Sequence, residues 1–246
     1  DIISASSGDH TIAWYENNGA DNPSFTAADI VTNASSAQDV HVADIDGDGD
    51  LDIVSASYGD DTIAWYTNNG ASDPSWTESG SHNIATNKDG AWDVNIADID
   101  NDGDLDIVSA STLDDTIAWY ENDGASTLNF SAQTISTNAD GATTVEIGDL
   151  DGDGDLDIIS TSSHDHKVTW YENSGATDPS WTAINITTSV LGAYDVYLAD
   201  LDNDGDLDLV SASYNTDTIA WYENNGADNP SFTAANIATN ADAATD

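Results

Sequence analysis

An all-β repeat fold is predicted for this chain of 246 residues from three observations. A Trp-Tyr pair returns at near-constant spacing, short apolar segments alternate with turn-forming residues, and no stretch sustains a 3.6-residue apolar period. The pair stands at Trp14-Tyr15, Trp65-Tyr66, Trp119-Tyr120, Trp170-Tyr171 and Trp221-Tyr222, in steps of 51, 54, 51 and 51 residues. Eleven residues after each Trp lies a second aromatic: Phe25, Trp76, Phe130, Trp181 or Phe232. The four prolines, Pro23, Pro74, Pro179 and Pro230, each sit nine residues after a repeat Trp, and Leu128 takes that place in the third unit. The second unit is three residues longer near Glu78 to Asn83, which reads as a loop insertion.

The elements follow in order within one unit. Asp39 to Ile45 alternates and reads as a first strand ahead of an acidic loop. Leu51 to Ser57 is a second strand of Ile, Val and small residues. Thr62 to Asn68 is a third, with Ile63 and Trp65 on one face and Ala64 and Tyr66 on the other. Asn69-Gly70 marks a turn, and a fourth, weaker strand lies near Asn83 to Thr86. Four strands in about 50 residues, repeated, predict a β-propeller built from four-stranded antiparallel blades. Apolar residues on both sides of the Trp-Tyr strand fit a sheet packed on both faces. The Ser-Ala-Ser runs suit close sheet packing.

The chain reads as a single repeat domain over 1–246, with blades at approximately 1–38, 39–92, 93–143, 144–194 and 195–246. Asp1 aligns with Asp52, so the first blade starts at its second strand and has three strands; Asp246 aligns with Asp93. The missing innermost strand lies outside this chain, comes from a neighbour, or leaves the ring open. A start at Asp1 without Met or signal segment reads as a piece of a longer precursor or a processed form.

Composition narrows the partners. The chain has 47 acidic residues against two lysines, Lys88 and Lys167, and a formal net charge of −45. Such a polyanion cannot neutralise phosphates, which excludes nucleic acid and binding to an anionic membrane surface. No stretch approaches the length needed for membrane insertion. Cysteine is absent, so any staple beyond the core is not a disulfide.

The sharpest signal lies between the first and second strands of the four complete blades. Asp44-Ile-Asp46-Gly-Asp48-Gly-Asp50-Leu-Asp52 is one copy, and others start at Asp98, Asp149 and Asp200. Side-chain oxygens at positions 1, 3, 5 and 9 curl such a loop around one cation, Gly at position 6 permits the sharp turn, and position 7 offers its carbonyl. Carboxylates about 5 Å apart repel by roughly 1 kcal/mol in water and by several at an effective dielectric of about 20. A cation removes that penalty. Hard oxygen donors in a flexible cage select Ca²⁺ over Mg²⁺, and the absence of His and Cys from the loop disfavours zinc and copper. An EF-hand would need Glu at position 12 and flanking helices, whereas Ser55, Ser109, Ser160 and Ser211 stand there between strands.

At these residues the chain resembles the FG-GAP/VCBS repeat proteins, which include the integrin α-chain propeller. The resemblance rests on the acidic nonapeptide followed by Leu-Asp-Ile-Val and a strand of small residues, over essentially the whole chain. It implies about four calcium ions. The first would be held by Asp44, Asp46, Asp48 and Asp52 with the carbonyl of Asp50, and the second by Asp98, Asp100, Asp102 and Asp106 with that of Asp104. The third set is Asp149, Asp151, Asp153 and Asp157 with the carbonyl of Asp155, and the fourth Asp200, Asp202, Asp204 and Asp208 with that of Asp206. Asp1 would be the last ligand of a further site. The literal Phe-Gly-Gly-Ala-Pro stretch is missing and Ser-Ala-Ser stands near its place, so bacterial-type repeats are the closer match. The family also implies propellers of often seven blades, and roles in adhesion, glycan binding or protein contacts.

Other residues are candidates of a different kind. The repeated Trp and Tyr could stack on sugars but read as inter-blade core. Trp92 and Tyr194 share a position held elsewhere by Gln38 and Thr143, and are the better candidates for an exposed contact. His10, His164 and His166 lie in turns between second and third strands, where solvated His outnumber metal ligands. Near-identical blades provide no asymmetric catalytic constellation, so no enzyme activity is expected. The expected function is a calcium-binding segment of a secreted or cell-surface protein, acting as a non-catalytic adhesion or assembly module. Its expected partners are a protein or glycan at a surface, with self-assembly through the open first blade. The alternative is a lectin-like propeller binding glycans between blades, or the non-catalytic part of a polysaccharide-processing enzyme.

Overall fold

The computed structural model describes residues 1–71, 74–77, 83–125 and 128–245. It is an all-β propeller segment of five sequential antiparallel sheets. Blade one holds β1 (Ile2–Ser6), β2 (Thr11–Asn17) and β3 (Phe25–Val31). Blade two holds β4 (Ala37–Ala43), β5 (Asp52–Ser57), β6 (Thr62–Asn68), β7 (Trp76–Thr77) and β8 (Asn83–Ala85). Both β7 and β8 pair with β6, so they are two pieces of one outer strand. The insertion expected near Glu78 to Asn83 lies, apart from Asn83, outside the described residues, as does Asp246.

Blade three is β9 (Ala91–Ala97), β10 (Asp106–Ser111), β11 (Thr116–Asn122) and β12 (Phe130–Ser136). Blade four is β13 (Ala142–Gly148), β14 (Asp157–Ser162), β15 (Lys167–Asn173) and β16 (Trp181–Thr187). Blade five is β17 (Ala193–Ala199), β18 (Asp208–Ser213), β19 (Thr218–Asn224) and β20 (Phe232–Ala238). Each outer strand begins at or near the second aromatic of its repeat, earlier than the Asn83 start read for the second unit. The innermost strands β4, β9, β13 and β17 lie side by side in that order and define the axis. Among the described residues no helix is long and apolar enough to cross a membrane.

The core sits between blades, because side chains alternate across each third strand. Ile63 and Trp65 of blade two pack with Val94, Ile107 and Tyr120 of blade three. On the other face Ala64 and Tyr66 pack with Ile12 and Val31 of blade one. Trp119 meets Tyr171, and Trp170 meets Tyr222, in the next two interfaces. The small second strand has a polar purpose as well. Ser109 and Tyr120 share a buried hydroxyl hydrogen bond of 3.2 Å, and Ser160 and Ser211 donate to the equivalent tyrosines at 3.4 Å.

Candidate metal centres

Each acidic nonapeptide links an innermost strand to the second strand, so all four loops lie at one end of the propeller. Their curl is written in the residue types. Position 4 has a left-handed backbone, with φ of 70° at Gly47, 59° at Asn101, 75° at Gly152 and 64° at Asn203. Asn is the residue that shares this region most readily with Gly, which is why the two alternate there. Position 6 lies at φ of 95° to 103° at Gly49, Gly103, Gly154 and Gly205, where a Cβ is strained, and all four loops keep Gly. The position 1 carboxylate then accepts from the position 6 amide: Gly49 to Asp44 at 3.0 Å, Gly103 to Asp98 at 3.0 Å, Gly154 to Asp149 at 3.1 Å, Gly205 to Asp200 at 3.2 Å.

This fold places carboxylate oxygens within 4.8 Å of one another in every loop. The sets are Asp44, Asp46 and Asp48; Asp98, Asp100 and Asp102; Asp149, Asp151 and Asp157; and Asp200, Asp202 and Asp204. Asp44 Oδ1 is buried without a hydrogen-bond partner, the kind of acceptor that calls for a cation. Burial and the flanking charges of positions 5 and 1 push the carboxyls of Asp46 and Asp100 above the usual range; Asp151 shifts the same way, burial leading. The donor sets are all oxygen, which suits a hard divalent ion.

Positions 7 and 9 divide their labour. The position 7 side chains turn away from the cluster toward the glycine after the third strand. A Cβ at Gly70, Gly124, Gly175 or Gly226 would collide with the carboxylate of Asp50, Asp104, Asp155 or Asp206, so only the position 7 carbonyl is left for a metal. Position 9 is almost fully buried, with Asp52 at 1% and Asp106 at 0% exposure. Asp106 accepts from Asn122 N at 2.8 Å and from Ile99 N at 3.2 Å, which ties the loop to the third strand. Asp52 instead accepts from Asn68 N at 2.8 Å and from the Trp65 indole at 3.1 Å. Asp1 repeats that pattern with Asn17 N and the Trp14 indole, as its alignment with Asp52 requires. Burial lifts Asp52 to about 6 and Asp106 and Asp157 to about 7.

One set of residues escaped the sequence reading. Asn122 donates through Nδ2 to Ile45 O of the preceding loop at 3.2 Å and to Leu105 O of its own at 3.1 Å. Asn173 does the same to Ile99 O and Leu156 O, and Asn224 to Leu150 O and Leu207 O. Successive loops are thus clamped together. The signal was visible as an Asn closing each Trp-Tyr strand. Among the described residues the turn histidines join none of the converging sets. His10 and His166 accept from the amides of Ser36 and Gly192 at 2.9 and 3.1 Å. Asp61, Asp115 and Asp217 accept from Gly90, Gly141 and Ala243 in the same way.

Comparison with known proteins matches these features. The FG-GAP-like repeat profile matches residues 1–55, 44–109, 102–160, 149–211 and 200–245. No curated protein sequence matches the chain. Among solved structures the chain is similar to an Agrocybe aegerita lectin studied for recognition of non-reducing terminal N-acetylglucosamine. The TM-score is 0.59 and the identity 19%, over 95% of this chain and 62% of that one. It is similar to the periplasmic gluconolactonase PpgL of Pseudomonas aeruginosa, with TM-score 0.60 and 13% identity over 98% and 70% of the two chains. It also resembles the V. cholerae biofilm matrix protein Bap1, with TM-score 0.50 and 18% identity over 96% and 38%. The chain spans less than two thirds of the lectin chain, and at such identities the likeness is one of fold.

Proposed function

Because the chain belongs to the FG-GAP-like repeat family, we propose that it is a calcium-binding propeller segment of a secreted or cell-surface protein, serving adhesion or assembly without covalent chemistry. The observation that carries this reading is the fourfold recurrence of a loop whose carboxylates converge, with a buried Asp44 oxygen left for a cation. Calcium suits these loops better than magnesium, because carboxylates and a carbonyl on a flexible turn accommodate six to eight donors. Extracellular modules bind calcium at about 10⁻⁴ to 10⁻³ M. At about 100 times the dissociation constant each ion adds about 2.7 kcal/mol, so four would add on the order of 10 kcal/mol, comparable to a domain's whole stability. Such weak sites fill outside the cell, which supports the location. Four ions would offset eight charges and leave about −37, favouring solubility at a surface.

The mechanism is rigid presentation. Ions lock the loops, the Asn clamps join loop to loop, and blade faces or edges meet a partner. β1 is an edge strand of its sheet, so a strand from another copy has a ladder to extend. Calorimetric melting with calcium and with chelator tests the staple: a large fall in Tm on chelation is expected, and equal values would overturn it. A glycan array in calcium, with particle sizing, then separates the lectin-like alternative from assembly. Strong array signals on a strictly monomeric particle would favour the lectin.

A further inference from the structure

The end of the propeller opposite the acidic loops has its own architecture. Pairing of β4 with β5 steps from Ala37–Ser57 to Asp39–Ala56, leaving Gln38 out of the ladder. The same step leaves out Trp92 in β9, Thr143 in β13 and Tyr194 in β17. A β-bulge re-aims the extra side chain. Here four bulges in one register turn these side chains, with the following Asp39, Asp93, Thr144 and Asp195, onto a cavity of about 290 Å³ at the axis.

The walls are aromatic although the fold does not demand it. Gln38 and Thr143 fill the bulge in two blades, whereas Trp92 and Tyr194 stand edge to face at 5.9 Å in the other two. Tyr58 flanks Trp92 at 5.6 Å, and Tyr214 flanks Tyr194 at 6.3 Å. The floor is anionic and fixed. Asp39 accepts from Val94 N at 3.2 Å, Asp93 from Val145 N at 2.7 Å, and Asp195 from Thr144 Oγ1 at 3.0 Å. His41 Nε2, 3.7 Å from Asp39, is a nearby basic group. Lys88 lies instead over the Tyr120 ring, Lys167 pairs with Asp165, and the chain has no arginine. Burial first, then the charge of Asp39, raises the Asp93 carboxyl well above its ordinary range, a cost of ionisation that a cation seated between the two groups would lift.

We propose that this axial cup binds an organic ammonium group, with the Asp39, Asp93 and Asp195 carboxylates receiving its N–H bonds and the Trp92 and Tyr194 rings covering its alkyl part. Ring faces attract a cation that has shed its water, and an alkylammonium sheds it more readily than a divalent ion. The ring faces offer a metal ion no ligand oxygen. The site is separate from the calcium loops and does not rest on their occupancy.

The test is calorimetric titration of the full chain with 1,5-diaminopentane, in excess calcium and at about 0.5 M salt to screen the diffuse charge. One site with a dissociation constant below about 1 mM is expected. The double variant W92Q/Y194T places at each bulge a residue that another blade already uses there, so the fold is kept. It should lose at least about tenfold in affinity. D93N, which keeps an acceptor for Val145 N, should weaken binding as well. The proposal is overturned by no heat up to about 10 mM diamine, far above the expected constant. Unchanged affinity in W92Q/Y194T, or displacement of the diamine by further calcium, would overturn it too. Since calcium is present throughout, empty loops and an empty cup give distinguishable results.

Discussion

The heptapeptide Thr-Ile-Ala-Trp-Tyr-Glu-Asn occurs in β2, β11 and β19, and its side chains meet three different environments. In β11, between two full blades, Trp119 and Tyr120 are both 0% exposed and Asn122 is clamped to the preceding loop. In β2, Trp14 is covered by blade two, while Tyr15 and Asn17 on the side away from it are half-exposed. In β19 the pattern inverts: Tyr222 and Asn224 are buried against blade four and Trp221 is half-exposed. Identical residues therefore stabilise by different amounts, because each Trp faces the following blade and each Tyr the preceding one. Local sequence sets the strand, and the neighbouring blade sets the energy, as expected of a repeat array.

The largest way to sharpen this comparison is to truncate the Trp. W119A should cost about 3–5 kcal/mol and W221A less than half as much, read by denaturant unfolding in calcium. Equal costs would mean that blade context does not govern the core. Next in size is the clamp. N122A strands the carbonyls Ile45 O and Leu105 O, and should cost about 1–3 kcal/mol while weakening calcium binding at the 44–52 loop. N17A, whose side chain among the described residues accepts from Gly19 N in an exposed turn and clamps no preceding loop, should cost under about 1 kcal/mol.

Much of this was legible in the sequence. The period of the Trp-Tyr pair located the third strand of blade two to the residue, at Thr62–Asn68, and the Asp-Gly spacing located the loops. The first strand, read as Asp39 to Ile45, runs over Ala37–Ala43 because its pairing starts before the bulge. The convergence of carboxylates was readable from the Asp-Gly spacing, since an alternating carboxylate with Gly at position 6 has few ways to turn: positions 1, 3 and 5 meet in three loops, and positions 1, 3 and 9 meet at Asp149, Asp151 and Asp157. Position 9 was harder. A ligand and a buried strut look alike in sequence: Asp52 and Asp106 accept hydrogen bonds from residues 13 to 16 positions away, while Asp157 also stands in a converging carboxylate set. The Asn clamp and the gathering of the bulge residues at the axis depend on contacts between blades at separations of 50 residues or more, which local pattern does not encode.

Acidity offers a smaller, signed test. Asp52, Asp106 and Asp157 titrate at about 6, 7 and 7 in the fold, against 3.8 unperturbed, with burial the first cause. A native carboxyl with a raised pKa keeps a proton that the unfolded chain has released. In chelator, Tm should therefore fall as pH rises from about 4 to about 7. With calcium the ion replaces those protons, so acidification should lower Tm instead. Identical slopes with and without calcium would disconnect these carboxyls from the metal. Smallest of all, H166D installs the acceptor that blades two, three and five already use at that turn. It should change stability by no more than about 0.5 kcal/mol, whereas H166L should cost about 1 kcal/mol by orphaning Gly192 N.

The central claim is that each converging carboxylate set exists to hold one ion, and metal analysis after equilibrium dialysis against about 1 mM calcium tests it most directly. Four calcium ions per chain are predicted, falling to three in D98N/D100N, which empties a single loop while leaving the other sets in place. A ratio below one ion per chain, or a ratio unmoved by that double substitution, would contradict it.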